Sequence, residues 1–393
     1  MFIQSINLYI FRLYIHCDDM SEAIGKGMRR LWSADLQNIV TAVRNGTFKY
    51  EGKPKKSIDW ASYNEAQLNE LADMLQIIKE SVDTAVERIH SHEDVKPKGS
   101  GRPPVPDGDI AKVLLLQGYF GVSDRVAGGL LKVFDTKLGI SKMFSYKTIE
   151  RGYDPERTKP IFDEIFKLTN EWSNFNEDIV GIDGSGDPTT MKVNYESERS
   201  KQRKDKTENP EGVTLSWPTK KDFQYSVLAV GVHTKIIGGF STSEDHTVGE
   251  LTQAYDVIKE TPKNIPNLGI VVGDTLYANR PFCQMVYFSG AVLYSLPKSN
   301  MTLKKNGFED WARMTYQLIL DPQGFLDIYH NRSISESVNS MMKRRESTPI
   351  RKRLSRRRRT AEVVKINLHN LRQSCYLTYI APTLTKTPLR RGG

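Results

Sequence analysis

The apolar positions of this chain change period near its middle. Leu68, Leu71, Leu75, Ile78, Val82, Val86 and Ile89 recur every three or four residues, the spacing of a helix with one buried face, and predict a long amphipathic helix over 68–89. Only about three heptads are present, which favours an ordinary core helix over a coiled coil. A Pro-, Gly- and Lys-containing stretch then reads as a linker over 96–106. Beyond it, 109–118, 123–134 and the Ser/Thr-containing 145–151 predict helices separated by glycine-containing turns. Lys147 and Arg151 lie on the last of these, so 107–175 resembles a helix-turn-helix, an arrangement also common as plain scaffolding.

From residue 176 the pattern is one of short apolar runs. Residues 179–182 form a run ending at Asp183, and 268–273 form another ending at Asp274. Residues 223–232 and 235–240 predict an antiparallel pair turning near His233 and Thr234. Further strands are expected over 291–296 and 316–320, a turn over 321–324, and helices over 247–260, 279–288, 333–343 and 361–379. Hairpins followed by strands alternating with helices describe an α/β fold with a mixed sheet. The expected organisation is a helical N-terminal region (1–95), the linker (96–106), the helix-turn-helix-like region (107–175), a mixed α/β domain (176–380) and a tail (381–393). No repeat of 20 to 50 residues is visible.

Composition narrows the function classes. With 38% apolar and 26% charged residues over 393 positions, the chain can bury real cores, which excludes wholesale disorder. Its net charge of +9 is concentrated: residues 343–359 hold ten Lys and Arg against Glu346 alone, and the rest of the chain balances. Such a localised run points to contact with a polyanion. Arg351, Lys352, Arg353, Arg356, Arg357, Arg358 and Arg359 are therefore candidate DNA-backbone residues. Cys17, Cys283 and Cys375 lie far apart with no CxxC, which supports neither a disulfide framework nor a structural zinc and fits a reducing compartment. Residues 1–17 are apolar but interrupted by Gln4, Asn7 and Arg12, and are shorter than the roughly 20 residues of a membrane helix. No membrane association is expected. The polar stretch 194–212 reads as a loop or insertion. Gly184-Ser185-Gly186 lacks the remaining spacing of a phosphate-cradling loop, so nucleotide-triphosphate chemistry is not expected. His246 reads as a surface turn residue and Asp187 as a turn carboxylate before Pro188.

The candidate chemistry lies in three acids. Asp183 and Asp274 each follow an apolar strand, at the sheet edge where open α/β folds place ligands, although a lone Asp there is also a common turn or cap residue. On a helical wheel Arg332, Glu336 and Lys343 fall within about 60° of Tyr329, while Ile334, Val338, Met341 and Met342 fall on the opposite side. The apolar side can pack on the sheet and leave Glu336 among basic groups. Two Asp and one Glu supply hard oxygen ligands suited to Mg²⁺ or Mn²⁺, and a pair of such ions about 4 Å apart serves phosphodiester chemistry. A solvated helix with a local Arg332–Glu336 pair is the plainer alternative.

The spacing Tyr329, Arg332, Glu336, Lys343 resembles the YREK signature of DDE-type insertion-sequence transposases, and Asp183-Gly184 and Asp274-Thr275 match the first two acidic positions of that family. The resemblance covers about 179–379, with acid separations of 91 and 62 residues; Leu276 departs from a glycine found in many relatives. The resemblance implies a ribonuclease-H-like core in which Asp183, Asp274 and Glu336 bind two Mg²⁺ or Mn²⁺ ions. It implies a prokaryotic cytoplasmic or nucleoid enzyme that acts as a homodimer on double-stranded DNA, cutting element ends and joining the freed 3′-hydroxyl to target DNA. Tyr329, Arg332 and Lys343 are implied to hold the flanking phosphates. A nuclease with the same site, or a relative that binds DNA without cutting it, are the alternatives.

Overall fold

The computed structural model describes residues 30–54, 57–91, 104–189, 223–243, 248–345 and 350–389. The stretches 1–17 and 194–212, His246 and most of the expected linker lie outside the described residues.

Five strands form one sheet in the order β3-β2-β1-β4-β5. Strands β1 (Ile179–Pro188), β2 (Phe223–Gly231) and β3 (Ile237–Ser243) are antiparallel neighbours. Strands β4 (Ile270–Gly273) and β5 (Val292–Ser295) continue it in parallel with β1. The sheet is thus mixed, as its hairpin-then-alternating pattern predicts. The expected antiparallel pair turns where Lys235 takes a left-handed φ of 58°. Buried Glu177 braces that turn by accepting from the His233 and Thr234 amides, 3.0 Å each.

Helices cover both faces. In chain order they are α1 (Ser33–Arg44), α2 (Trp60–His90), α3 (Asp107–Phe120), α4 (Asp124–Leu138), α5 (Tyr146–Gly152), α6 (Pro155–Ser173), α7 (Glu250–Asn264), α8 (Arg280–Phe288), α9 (Glu309–Leu320), α10 (Pro322–Tyr329), α11 (Ser333–Arg345) and α12 (Ser355–Ile380). The predicted 68–89 helix is the main part of α2, which begins earlier because Asp59 caps it, accepting from the Ala61 and Ser62 amides. Three expectations differ from the structure, the first being Asp187, which is no turn residue but lies buried in β1, paired with Lys365 of α12. Residues 316–320 are helical, the end of α9, because Trp311, Thr315 and Leu318 are buried at helical spacing. Residues 321–324 are not a free turn: Asp321 caps α10, accepting from the Gly324 amide at 2.9 Å.

One core lies on the α7–α10 side of the sheet and includes Val180, Ile182, Val257, Val271, Tyr277 and Phe325. Leu36 and Val40 of α1 join this core, so the first described helix packs with the sheet. A second core, built by α2 to α6, is completed by Val364, Leu368, Leu371 and Cys375 of α12. A smaller cluster on the opposite sheet face contains Leu228, Val230, Val338, Met342 and Ile366. α12 therefore stands between the sheet and the helical region, which explains why it is buried around nearly its whole circumference over 360–378. Asn370 of α12 also covers edge strand β3, accepting from the Ile237 amide at 2.9 Å and donating to its carbonyl at 3.0 Å. None of the described helices is long and apolar enough to cross a membrane.

Candidate active site

The parallel register places Ile182 opposite Gly273, the last such pair of β1 and β4. Asp183 follows Ile182 within β1 and Asp274 follows Gly273 just past β4, so two acids 91 residues apart in sequence lie at the same end of the parallel ladder. Asp274 leaves its strand in a turn in which its side chain accepts from the Leu276 amide at 2.7 Å. Asp183 differs from the expectation that its strand ends there: β1 runs on to Pro188, held by antiparallel pairing with β2. The two acids therefore stand at the end of the parallel ladder rather than at the end of β1.

α11 brings the third acid. Gly181 lacks a side chain where the helix meets β1, and a methyl there would stand 3.3 Å from Ser335 Oγ. One helical turn later, Asn339 Nδ2 donates to Asp183 Oδ2 at 2.9 Å. Four residues of helix rise about 6 Å and two residues of strand about 6.6 Å, so the two contacts keep step. Val338 and Met342 are buried beneath the helix, while Glu336 faces outward and pairs with Arg332. The predicted division of polar and apolar sides holds for α11. It does not extend unbroken to Tyr329, because a 3-10 turn, His330–Arg332, separates α10 from α11. Tyr329 is nonetheless close: the Arg332 guanidinium lies 5.6 Å from its ring centre. Burial raises the Tyr329 hydroxyl above its ordinary pKa, with Arg332 opposing the rise and Asp274 reinforcing it.

The three acids interact electrostatically. Burial pushes the Asp183 carboxyl up to about 7, the Asn339 bond opposes the rise, and the negative charges of Glu250, Glu336 and Asp274 add to it. The donor set consists entirely of hard oxygens, which fits Mg²⁺ or Mn²⁺, and the mutual repulsion of these groups is what a divalent cation relieves. The three carboxylates are not gathered into a tight cage; Glu336 turns toward Arg332 instead. Among the described residues, only Glu177, Asp178 and His233 bring three ligand atoms within 4.8 Å of one another. That group lies at the other end of β1, roughly 16 Å of strand away. Its Glu177 is already committed to bracing the β2–β3 turn, accepting also from Thr234 Oγ1 at 3.0 Å.

Sequence reasoning missed four contributors. Asn339 and Tyr277 carry no motif, and Glu250 reads as an ordinary acid on the first turn of α7. Arg44 comes from α1 and donates to Thr275 Oγ1 and the Pro297 carbonyl, both at 2.9 Å, which sets a guanidinium beside Asp274.

The basic run divides in two. Lys352 is bound to Asp124 at 2.6 Å and lies 3.8 Å from the centre of the Tyr153 ring. Arg357 is held by Asp154 at 2.9 Å and Glu150 at 3.0 Å. Arg356 also reaches Asp154, and Arg358 donates to the Lys352 carbonyl. Acids of the helical region thus offset cations at the N-terminal turn of α12, the end where the helix dipole disfavours them. Arg351, Arg353, Arg356 and Arg359 are exposed. Lys343 continues the Glu336 side of α11 and is half-buried. In the helix-turn-helix-like region, Lys147 and Arg151 are exposed on α5, a helix of seven residues. No protein-family model matches the chain, and no curated protein does.

Proposed function

We propose that this chain is a metal-dependent DNA transposase that cleaves at the ends of a mobile element and transfers the 3′-hydroxyl to target DNA. The observation that carries the reading is the convergence of Asp183, Asp274 and Glu336 from β1, β4 and α11. Those three acids are the ones that the YREK-type resemblance singles out, and the mixed β3-β2-β1-β4-β5 sheet is compatible with a ribonuclease-H-like core.

On this reading Asp183, Asp274 and Glu336 hold two Mg²⁺ or Mn²⁺ ions. When bound, such ions activate a hydroxyl nucleophile and stabilise the leaving oxygen of a phosphodiester. Asn339 fixes the orientation of the Asp183 carboxylate through its 2.9 Å bond. Arg332, in the 3-10 turn before α11, and Lys343, on the Glu336 side of α11, bind phosphates flanking the cut, and buried Tyr329 backs Arg332. Arg351, Arg353, Arg356 and Arg359 add sequence-independent backbone contacts. Catalysis rests on positioning and electrostatics, without a covalent enzyme intermediate. The protein is expected to act as a homodimer on double-stranded DNA in a prokaryotic cytoplasm or nucleoid.

The test is Mg²⁺-dependent cleavage of DNA carrying the inverted repeats that flank the gene. Asp183→Ala, Asp274→Ala and Glu336→Ala should each abolish cleavage and retain DNA binding. Cleavage by any one of them removes that residue from the site.

A further inference from the structure

Arg44 reaches the carboxyl end of the parallel strands from an element that carries none of the three acids. It is the last residue of α1, and Val40 and Leu36, one and two turns earlier on the same face, are fully buried in the sheet core. Its Nη2 donates to Thr275 Oγ1, next to Asp274, and to the Pro297 carbonyl just past β5, both at 2.9 Å. Open α/β sheets bind their ligands at this end of the strands.

Holding α1 in place does not require Arg44. Ser33 Oγ accepts from the Leu303 amide at 3.1 Å and Gln37 Nε2 donates to the Met301 carbonyl at 3.2 Å, so the helix is already tied to the segment after β5. Both acceptors of Arg44 are neutral, and among the described residues it has no carboxylate partner and its Nε and Nη1 donors make no hydrogen bond. The side chain is exposed. The charge is felt nearby: burial raises the Tyr329 hydroxyl, and Arg332 and Arg44 both oppose that rise. Arg332 is paired with Glu336, whereas Arg44 brings its cation to the same hydroxyl unpaired among the described residues.

Resting on the transposase reading, we infer that Arg44 binds a phosphate of the DNA strand held on the Asp274 side of the site. A guanidinium pinned through one nitrogen offers its remaining donors to phosphate oxygens already oriented, which lowers the ordering cost of the contact. A residue that served only as a pin would need no charge, because an uncharged amide donates to a hydroxyl and a carbonyl as well.

Cleavage by the full-length protein tests this, on DNA carrying the inverted repeats that flank the gene, with single phosphates near the cut replaced in turn by uncharged methylphosphonate. Folding is followed by circular dichroism. Wild type should slow roughly tenfold when the phosphate that Arg44 holds is neutralised. Arg44→Gln should be slower on unmodified DNA, lose nothing further at that one position, and keep the wild-type penalties elsewhere. A general loss in Arg44→Gln with every penalty retained makes Arg44 a structural pin and overturns the inference, as does a wild-type profile; both leave the transposase reading standing. No cleavage by the unmodified protein overturns that reading and this inference with it. Should Arg44→Gln fail to fold, Arg44→Lys keeps the charge without the fork, and its penalty at that position should be smaller than that of wild type by roughly threefold or more. An identical penalty profile contradicts the inference.

Discussion

Asn339 on α11 donates a 2.9 Å hydrogen bond to Asp183 on β1, and this bond joins the helix that carries the third acid to the strand that carries the first. Removing it should loosen both. Asn339→Ala is expected to lower cleavage by roughly 10- to 100-fold, the range for groups that orient metal ligands, with DNA binding retained. Single-turnover cleavage and a binding titration on the same preparation measure the two separately.

Asp183 should destabilise the metal-free protein. Its folded-state pKa of about 7 exceeds the ordinary 3.8, so between these values the folded state holds the proton more tightly. Stability therefore falls as pH rises through that window, and the full cost is present above about pH 7. Asp183→Asn, without divalent ions, should raise the unfolding free energy by up to about 4 kcal/mol at pH 8 and by little near pH 4. Mn²⁺ should reverse the ranking by stabilising only the wild type. Chemical denaturation at the two pH values, with and without Mn²⁺, checks both statements.

His369 predicts the opposite slope. It is buried in α12 against the Lys235 carbonyl at 2.8 Å, and burial pushes its pKa down to about 4. The unfolded chain takes up the proton first as pH falls, so this contribution is present above about pH 6.5 and lost between there and pH 4. The loss amounts to about 3 kcal/mol. Because burial raises Glu362 in the same helix and acts in the opposite sense, the measurement is the difference between wild type and His369→Gln. That difference should shrink or change sign as pH falls from 7 to 4.

The basic run should separate into two kinds of variant. Arg351, Arg353, Arg356 and Arg359 changed together to Ala should flatten the dependence of DNA affinity on salt by roughly one unit of slope per lost phosphate contact, with folding preserved. Lys352→Ala and Arg357→Ala should instead lower thermal stability, since each removes a partly buried cation paired with acids of the helical region. An unchanged salt slope in the first variant sinks the phosphate-contact reading.

How much was legible beforehand follows from which forces are local. The strands at Asp183 and Asp274 were visible because apolar runs of strand length precede them, and the α11 wheel separated Glu336 from Val338 and Met342 correctly. The misreading of 316–320 arose from considering five apolar-rich residues alone, since the period becomes clear only when Trp311 is included. The pairing of the basic run with Asp124, Glu150 and Asp154 could not be read from spacing, because those acids lie about 200 residues earlier. The same holds for Arg44, which meets Thr275 across 231 residues, and for Glu250, whose seat is built by Gly184 and Tyr277. Periodicity reports which side of an element is buried; it does not report what the other side meets.

If the proposed function is right, Asp183, Asp274 and Glu336 act as one polynucleotide-transferring site. Its most direct measurement is strand joining, in which a pre-cut element end with a free 3′-hydroxyl is incubated with target DNA, Mg²⁺ and either wild type or Glu336→Ala. Joined products are expected with the wild type and none with the variant, at equal DNA binding. Tight binding by the wild type without joined products, or joining that survives Glu336→Ala, would contradict it.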